Sequence, residues 1–403
     1  MSLEAYTLLK DGDEDYIIQI RRQLHQHPEL GMDTAYSAQL VCGELGKMGI
    51  LFTRRYAENS VVGDLEIDPS LPTLALRADM DGLPVSEKND IPYCSQNPGK
   101  MHACGHDAHT AILLGAARIL SRSREHLPCN IRFIFQPGEE TLQGARAMTN
   151  NGVMEPVDFI LGLHVENTID AGQVGIAVGN SQASCDVVKV RFTGKSAHAI
   201  LPQQGNDAIA MAVMTYQSIQ ALQARQIDPT ENYVCSVGVL RGGAVHNVIA
   251  DQAEMHISVR TFSMPTHDQL ISQIRKAAAA AAELFGGACE IQTSLDALPV
   301  FNQPELCGKF IQTAQKVVGT SGVHHIAPKM GSEDFSIYLT KKPGLFFFLG
   351  TRCEEKNHTA PWHSDIFSID ESALLKGSLV FAQFALDFAG NGSPDGEPVE
   401  CAC

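Results

Sequence analysis

The sequence predicts an α/β protein interrupted by an inserted α+β domain. Three observations carry this expectation. Apolar strand-like runs at 73–78, 131–135 and 159–163 alternate with helical patterns. Each of those runs leads into a side chain able to bind a metal or move a proton. From residue 186 the text changes to alternating strands and two long helices in the order strand–helix–strand–strand–helix–strand, a ferredoxin-like pattern. A chain of 403 residues is long for one domain, and a 44% hydrophobic content suffices for two cores.

The first helix is expected over 15–28, where Ile17, Ile18, Ile20 and Leu24 stand among charges and Pro28 ends the pattern. His25 and His27 read best as cations at that helix's C-terminal end. A second helix is expected from Ala35 to Met48, stopped by Gly49. The run 73–78 is a buried strand that delivers Asp79 and Asp81, which suit either a site at a strand end or an Asx-type turn.

Residues 101–110, Met-His-Ala-Cys-Gly-His-Asp-Ala-His-Thr, gather three histidines, a cysteine and an aspartate where a loop enters an apolar helix. Cys104 and His106 can reach one metal from a tight turn that Gly105 permits; a capped helix start with an ordinary buried cysteine is the plainer alternative. The strand 131–135 ends in Gln136-Pro137-Gly138-Glu139-Glu140. Adjacent carboxylates can divide the work of binding a metal and taking a proton, or simply complement a helix dipole. The strand 159–163 is expected to end at His164. Three strand-end donors favour a metal site over any single motif.

In the second block, 186–192, 233–239 and 253–260 read as strands, and 206–224 and 267–285 as helices. His198 lies in a Gly-Lys-Ser-Ala-His loop, where a solvent-exposed histidine is the alternative to a functional one. The strand 345–349 precedes a last ligand candidate, His363, with 330–335 expected nearby. Residues 365–388 return to a core-helix pattern, and 391–403 are expected to be loosely ordered.

Lys+Arg 30 against Asp+Glu 46 gives a net charge of −16, which argues against nucleic acid and anionic membranes as partners. The acidic segment 1–16 has no signal-peptide pattern, and no apolar run is long enough to span a bilayer. Eleven cysteines without a C-x-x-C pair suggest reduced thiols, hence a cytoplasmic protein.

With these segments in place the chain resembles the aminoacylase/carboxypeptidase family of binuclear metallohydrolases, in its hippurate hydrolase and indoleacetyl-amino-acid hydrolase branch. The resemblance runs from His25-Gln26-His27-Pro28-Glu29-Leu30-Gly31 through 77–81, 101–107, 136–140 and Val245-His246-Asn247-Val248-Ile249 to His363-Ser364-Asp365. It implies a zinc-exopeptidase-like catalytic domain, with a mixed sheet between helices, over 1–182 and 296–390. It implies a lid and dimerisation domain over 183–295. It implies metal ligands at Cys104, His106, Glu140, His164 and His363, with Cys104 bridging two divalent ions. Zinc suits a thiolate best, and manganese or cobalt suits the carboxylate and imidazoles too. It implies Glu139 as general acid/base, His198 as a lid histidine supplied by the partner of a homodimer, and Asn247 and Arg260 near the substrate carboxylate. Gly138 stands where the branch often has Ala, and Ala250 where Pro is common; neither change removes a functional group.

The implied reaction is hydrolysis of an N-acyl amino acid to a carboxylic acid and a free amino acid. A dipeptidase or aminopeptidase on the same site is the alternative within this chemistry. A catalytically silent metal-binding protein is the alternative from another class, and it would be expected to have lost Glu139 or a ligand.

Overall fold

The computed structural model describes residues 4–388; the expected loose tail at 391–403 lies outside them. In chain order the helices are α1 (Asp13–His25), α2 (Ala35–Lys47), α3 (His106–Ser121), α4 (Gly144–Asn150), α5 (Ala208–Gln226), α6 (Met264–Leu284), α7 (Pro304–Val318), α8 (Ser336–Leu339) and α9 (Leu374–Asp387). The strands are β1 (Leu51–Thr53), β2 (Val61–Leu65), β3 (Thr73–Asp79), β4 (Asn130–Gln136), β5 (Phe159–Asp170), β6 (Val174–Ile176), β7 (Gly179–Gln182) and β8 (Cys185–Thr193). They continue with β9 (Ala197–His198), β10 (Tyr233–Gly242), β11 (Val248–Ile249), β12 (Gln252–Thr261), β13 (Ala288–Ala297), β14 (Val300–Asn302), β15 (Val323–His325) and β16 (Gly344–Arg352). The chain divides into two compact units: Met1–Ser181 with Phe301–Ala327 and Asp334–Cys403, and Gln182–Val300 with Pro328–Glu333.

The first unit is built on an eight-stranded mixed sheet in the order β1-β2-β4-β3-β5-β16-β6-β15. Its centre is parallel: β4 with β3, β3 with β5, and β5 with β16. Strands covered on both faces are mostly apolar, and β4 is buried at every position, with its polar Asn130, Arg132 and Gln136 hydrogen-bonded. α3 is buried along almost its whole length, packed between α1 and α9. A Cβ on Gly115 would stand 2.7 Å from Ile17 and 2.5 Å from Ser378, so glycine is what lets the three helices approach.

Three expectations need correction. β5 does not end at His164 but runs on to Asp170, because pairing with β16 continues through Phe348↔His164 and Leu349↔Val165. His164 is therefore a mid-strand residue. The first helix stops at His25, three residues before Pro28. The helix expected over 365–388 begins only at Leu374, after a 3-10 turn (Glu371–Ala373) in which the Ser372 amide donates to the Asp370 side chain.

The second unit has the strand–helix–strand–strand–helix–strand order β8-α5-β10-β12-α6-β13 and the sheet order β10-β12-β8-β13, antiparallel throughout. This is the ferredoxin-like arrangement. One sheet face supplies Val188, Val190, Phe192, Met255, Ile257 and Val259 to a core closed by Met211 and Ile219 of α5 and Leu270 and Ile274 of α6. Lys189 and Arg191, alternating with the core residues of β8, are exposed. α6 starts three residues earlier than its periodicity predicts, because Ser263 caps it and Pro265 sits in its first turn. Among the described residues no helix is long and apolar enough to cross a membrane.

Candidate metal centre

Cys104 sits in the loop that enters α3, and His106 is the first residue of that helix. Gly105 between them has φ +87°, a left-handed conformation, and a Cβ there would come within 2.4 Å of Val165. Glycine is thus required twice, for the turn and for contact with β5. The turn points the thiol at His164: Cys104 Sγ and His164 Nε2 are 3.3 Å apart, both buried. Glu139 and Glu140 follow β4 after a turn through Gly138 (φ +68°). His363 lies in the segment between β16 and the Glu371–Ala373 turn, has φ +64°, and its amide donates to Ala103 O at 2.8 Å. Its side chain is 56% exposed, whereas Cys104, His106 and His164 are buried.

Among the described residues five donor groups have ligand atoms within 4.8 Å of one another, and two of these triads, Cys104–His106–His164 and Cys104–Glu140–His363, contain Cys104. They share the Cys104 thiol. The residues fit divalent ions by their own polar accounting. Both His106 ring nitrogens and Glu140 Oε1 are buried without a hydrogen-bond partner. His106 Nδ1 faces Asp81 Oδ1 at 3.4 Å, and Nε2 faces Glu140 Oε1 at 3.9 Å and Glu139 Oε2 at 4.0 Å. Sulfur, imidazole and carboxylate donors in this number suit zinc or a similar ion.

The electrostatics point the same way. Burial opposes charge on His106, yet Asp79, Asp81 and Glu140 push its pKa up to about 10. Burial, followed by the charges of Glu140 and Glu139, raises the Cys104 thiol well above its ordinary value. Burial also raises Glu140. His164 is driven well below its ordinary value by burial and then by His109 and His106, so its ring is neutral and able to donate a lone pair. A negative field around the neutral His164 nitrogen and the Cys104 sulfur favours a cation.

Two residues that support this cluster have no assigned role in the sequence reading. Asp81 accepts the Glu139 amide through Oδ1 at 3.0 Å and the Glu140 amide through Oδ2 at 3.1 Å, fixing the two glutamates' backbone. Arg77, wholly buried, donates to Gln136, Asp79 and Asp334 at 2.9, 2.6 and 2.9 Å. The Asp79-x-Asp81 pair after an apolar strand was the available signal for Asp81. His109, for all its proximity, is already engaged. Val165 N–H donates to its Nε2 at 2.9 Å, so the proton resides on Nδ1 and goes to Asp79 Oδ1 at 2.6 Å. His25 is likewise no simple helix-end cation, because it is buried between Asp107 Oδ2 (2.7 Å) and Glu87 Oε1 (3.1 Å).

The remaining predicted residues belong to the second unit. His198 is exposed in β9, which pairs with β11 in the register His198↔Val248. Asn247 is adjacent, its carbonyl accepting from the Ala199 amide at 3.0 Å. Arg260, near the end of β12, donates through Nη1 to Met330 O (3.2 Å) and Ser332 Oγ (3.3 Å). The expected neighbourhood of 330–335 is thus split, with 330–332 around Arg260 and Asp334 on Arg77.

A mixed α/β sheet presenting a two-triad donor cluster beside a glutamate pair defines the class of metal-dependent hydrolases. Residues 75–387 match the model of Peptidase family M20/M25/M40. The chain is 36% identical over 380 residues to thermostable carboxypeptidase 2 of Saccharolobus solfataricus, covering 93% of this chain and 96% of that one. It is 36% identical over 384 residues to IAA-amino acid hydrolase ILR1-like 4 of Arabidopsis thaliana, covering 94% and 87%. The crystal structure of a dinuclear metal-binding M20 peptidase from Bacillus subtilis superposes with a TM-score of 0.81 at 32% identity, covering 94% and 99%. The chain belongs to the M20 peptidase family and is a metallohydrolase that acts on amide bonds.

Proposed function

We propose that the chain hydrolyses N-acyl amino acids, hippurate-like or other acyl conjugates, to a carboxylic acid and a free amino acid. The observation that carries this reading is the pair of donor triads sharing Cys104, with Glu139 beside them. Cys104, His106, Glu140, His164 and His363 would hold two divalent ions, zinc before manganese or cobalt, with the thiol common to both. Bound there, the ions would lower the pKa of a water molecule and polarise the acyl carbonyl.

The chain's own groups do the rest. Glu139 takes the proton from the attacking water and returns it to the departing amine. Asp81 keeps Glu139 and Glu140 on their separate tasks by gripping both amides. His198 hydrogen-bonds the developing oxyanion, and Asn247 and Arg260 receive the amino acid's carboxylate, for which a guanidinium fork is better shaped than an ammonium. We read the working form as a homodimer in which His198 serves the partner's site. In support, α5 exposes Ile209, Val213 and Tyr216 along one face. The nine cysteines among the described residues are all free, which supports a reducing, cytoplasmic location.

A hydrolysis screen tests this function. Acyl amino acids, their carboxamides and matching dipeptides are compared with zinc, manganese or cobalt added. Free-acid conjugates should be cleaved well and their carboxamides poorly, and Arg260→Lys should raise KM for the acids. Equal cleavage of acid and amide would remove the role given to Arg260. Preference for dipeptides with a free amine would favour the dipeptidase reading, which the similarity to a carboxypeptidase keeps in view.

A further inference from the structure

Trp362 is the only tryptophan of the chain and directly precedes His363. Its half-buried indole lies against the His164 imidazole, centroids 4.4 Å apart at 51°. Its Nε1–H donates to Val165 O at 3.0 Å, and the same carbonyl accepts from His164 Nδ1 at 2.7 Å. A carbonyl can only accept, so Nδ1 carries the His164 proton. The lone pair is left on Nε2, the atom that faces Cys104 Sγ at 3.3 Å. The indole also stacks over Phe348 of β16, a wholly buried ring, at 6.4 Å and 17°.

One residue further on, His363 holds a left-handed backbone conformation. For a residue with a Cβ that conformation persists only where its surroundings hold it. Two such restraints are visible: the His363 amide on Ala103 O, and the packing of Trp362 between β5 and β16. Trp362 therefore touches one ligand candidate and carries the next in sequence. His164 belongs to one triad and His363 to the other.

We propose that Trp362 is a positioning residue of the metal centre, orienting His164 through ring contact and a shared carbonyl and setting the backbone from which His363 projects. This rests on the ligand assignment proposed above. Groups that orient a ligand typically change metal affinity by about 10–100-fold when removed. Because one ligand in each triad depends on it, Trp362 governs both metal equilibria.

The test uses the full chain stripped of metal with a chelator and titrated with Co2+. Wild type, Trp362→Phe and Trp362→Leu are followed by the thiolate-to-cobalt absorption band, and wild type also by tryptophan emission, which comes from Trp362 alone. Wild-type emission should fall in step with the growing thiolate band. Trp362→Phe keeps a ring against His164 but loses the N–H, so its cobalt affinity should fall less than that of Trp362→Leu. The latter should lose about 10–100-fold, with an altered band. Melting of the metal-free proteins separates this from a folding defect, and the Phe variant decides the matter if the Leu variant does not fold. Wild-type affinity and spectrum in the variants, or emission indifferent to a fully developed band, would overturn the proposal while leaving the ligands intact. Absence of any thiolate band in wild type would instead overturn the ligand assignment, and the proposal with it.

Discussion

The Sγ of Cys104 stands 3.3 Å from Nε2 of His164, an approach between residues 60 positions apart that only the packing of the α3 entry loop on β5 makes possible. Cys104 belongs to both donor triads and His363 to one. Cys104→Ala should therefore lose both metals and all measurable turnover, whereas His363→Ala should keep close to one metal per chain. Elemental analysis after dialysis reads the difference. His102→Ala, outside every donor group, should keep the full complement. Full stoichiometry in the Cys104→Ala protein would contradict the shared-thiol arrangement.

The paired glutamates separate by kind of loss. Glu139→Gln should retain metal and fold yet lose turnover by about 10²–10⁴-fold, since only proton transfer is removed. Glu140→Gln should bind metal less tightly. Asp81→Ala strips the acceptor from both amides at once, so it should weaken metal binding by about 10–100-fold and depress kcat as well. Metal loss in Glu139→Gln but not in Glu140→Gln would mean that the two roles are reversed.

Acid sensitivity is expected where α1 meets α3. The buried Asp13 carboxylate accepts from Arg118 Nε at 3.0 Å, from Arg122 Nη1 at 3.0 Å and Nη2 at 2.6 Å, and from the Lys10 amide at 2.9 Å. Burial alone would raise its pKa, but these bonds outweigh it and hold the group below its ordinary 3.8. A folded value below the unfolded one stabilises the protein above the unfolded value, and the benefit disappears as pH falls through the folded one. Asp13→Asn should therefore cost roughly 1.5–3 kcal/mol near neutrality. Its melting temperature should converge with that of wild type as pH falls below the ordinary carboxylate range and through the depressed Asp13 value. A pH-independent gap would show that the loss is packing rather than charge.

Much of this was legible because the central strands are covered on both faces, which favours largely apolar runs such as 131–135, broken only by Arg132, and marks where each ends. β5 was the exception. A strand that continues past a ligand candidate carries Glu166 and Asn167, and polar residues at a buried strand's end look like a loop in the sequence. Proximity also misled in both directions. His109 lies close to the triads but spends its ring on Asp79 and Val165, and Asp81, which joins no triad, grips the backbone of two glutamates. Such roles depend on which atom faces which, and residue spacing does not encode that. The left-handed His363 is equally hard to read in sequence, because histidine, though enriched at positive φ, still adopts it at only a small fraction of its positions.

The proposed sharing of His198 between chains makes the sharpest demand. His198 is exposed in the second unit, while every residue of the two triads belongs to the first. An isologous dimer presents the same patch twice, so one residue of this kind can serve each site once. Consider the inactive homodimers His198→Ala and Glu139→Gln, co-expressed or unfolded and refolded together. In the mixed dimer one site keeps Glu139 and receives an intact His198 from the other chain, and the second site lacks both. Random pairing makes half the dimers mixed, each with one good site of two, so activity should return to roughly a quarter of wild type. If mixed dimers form and stay inactive, His198 works within its own chain. If the His198→Ala homodimer is itself fully active, His198 has no part in turnover, and the oxyanion must find its hydrogen bond elsewhere.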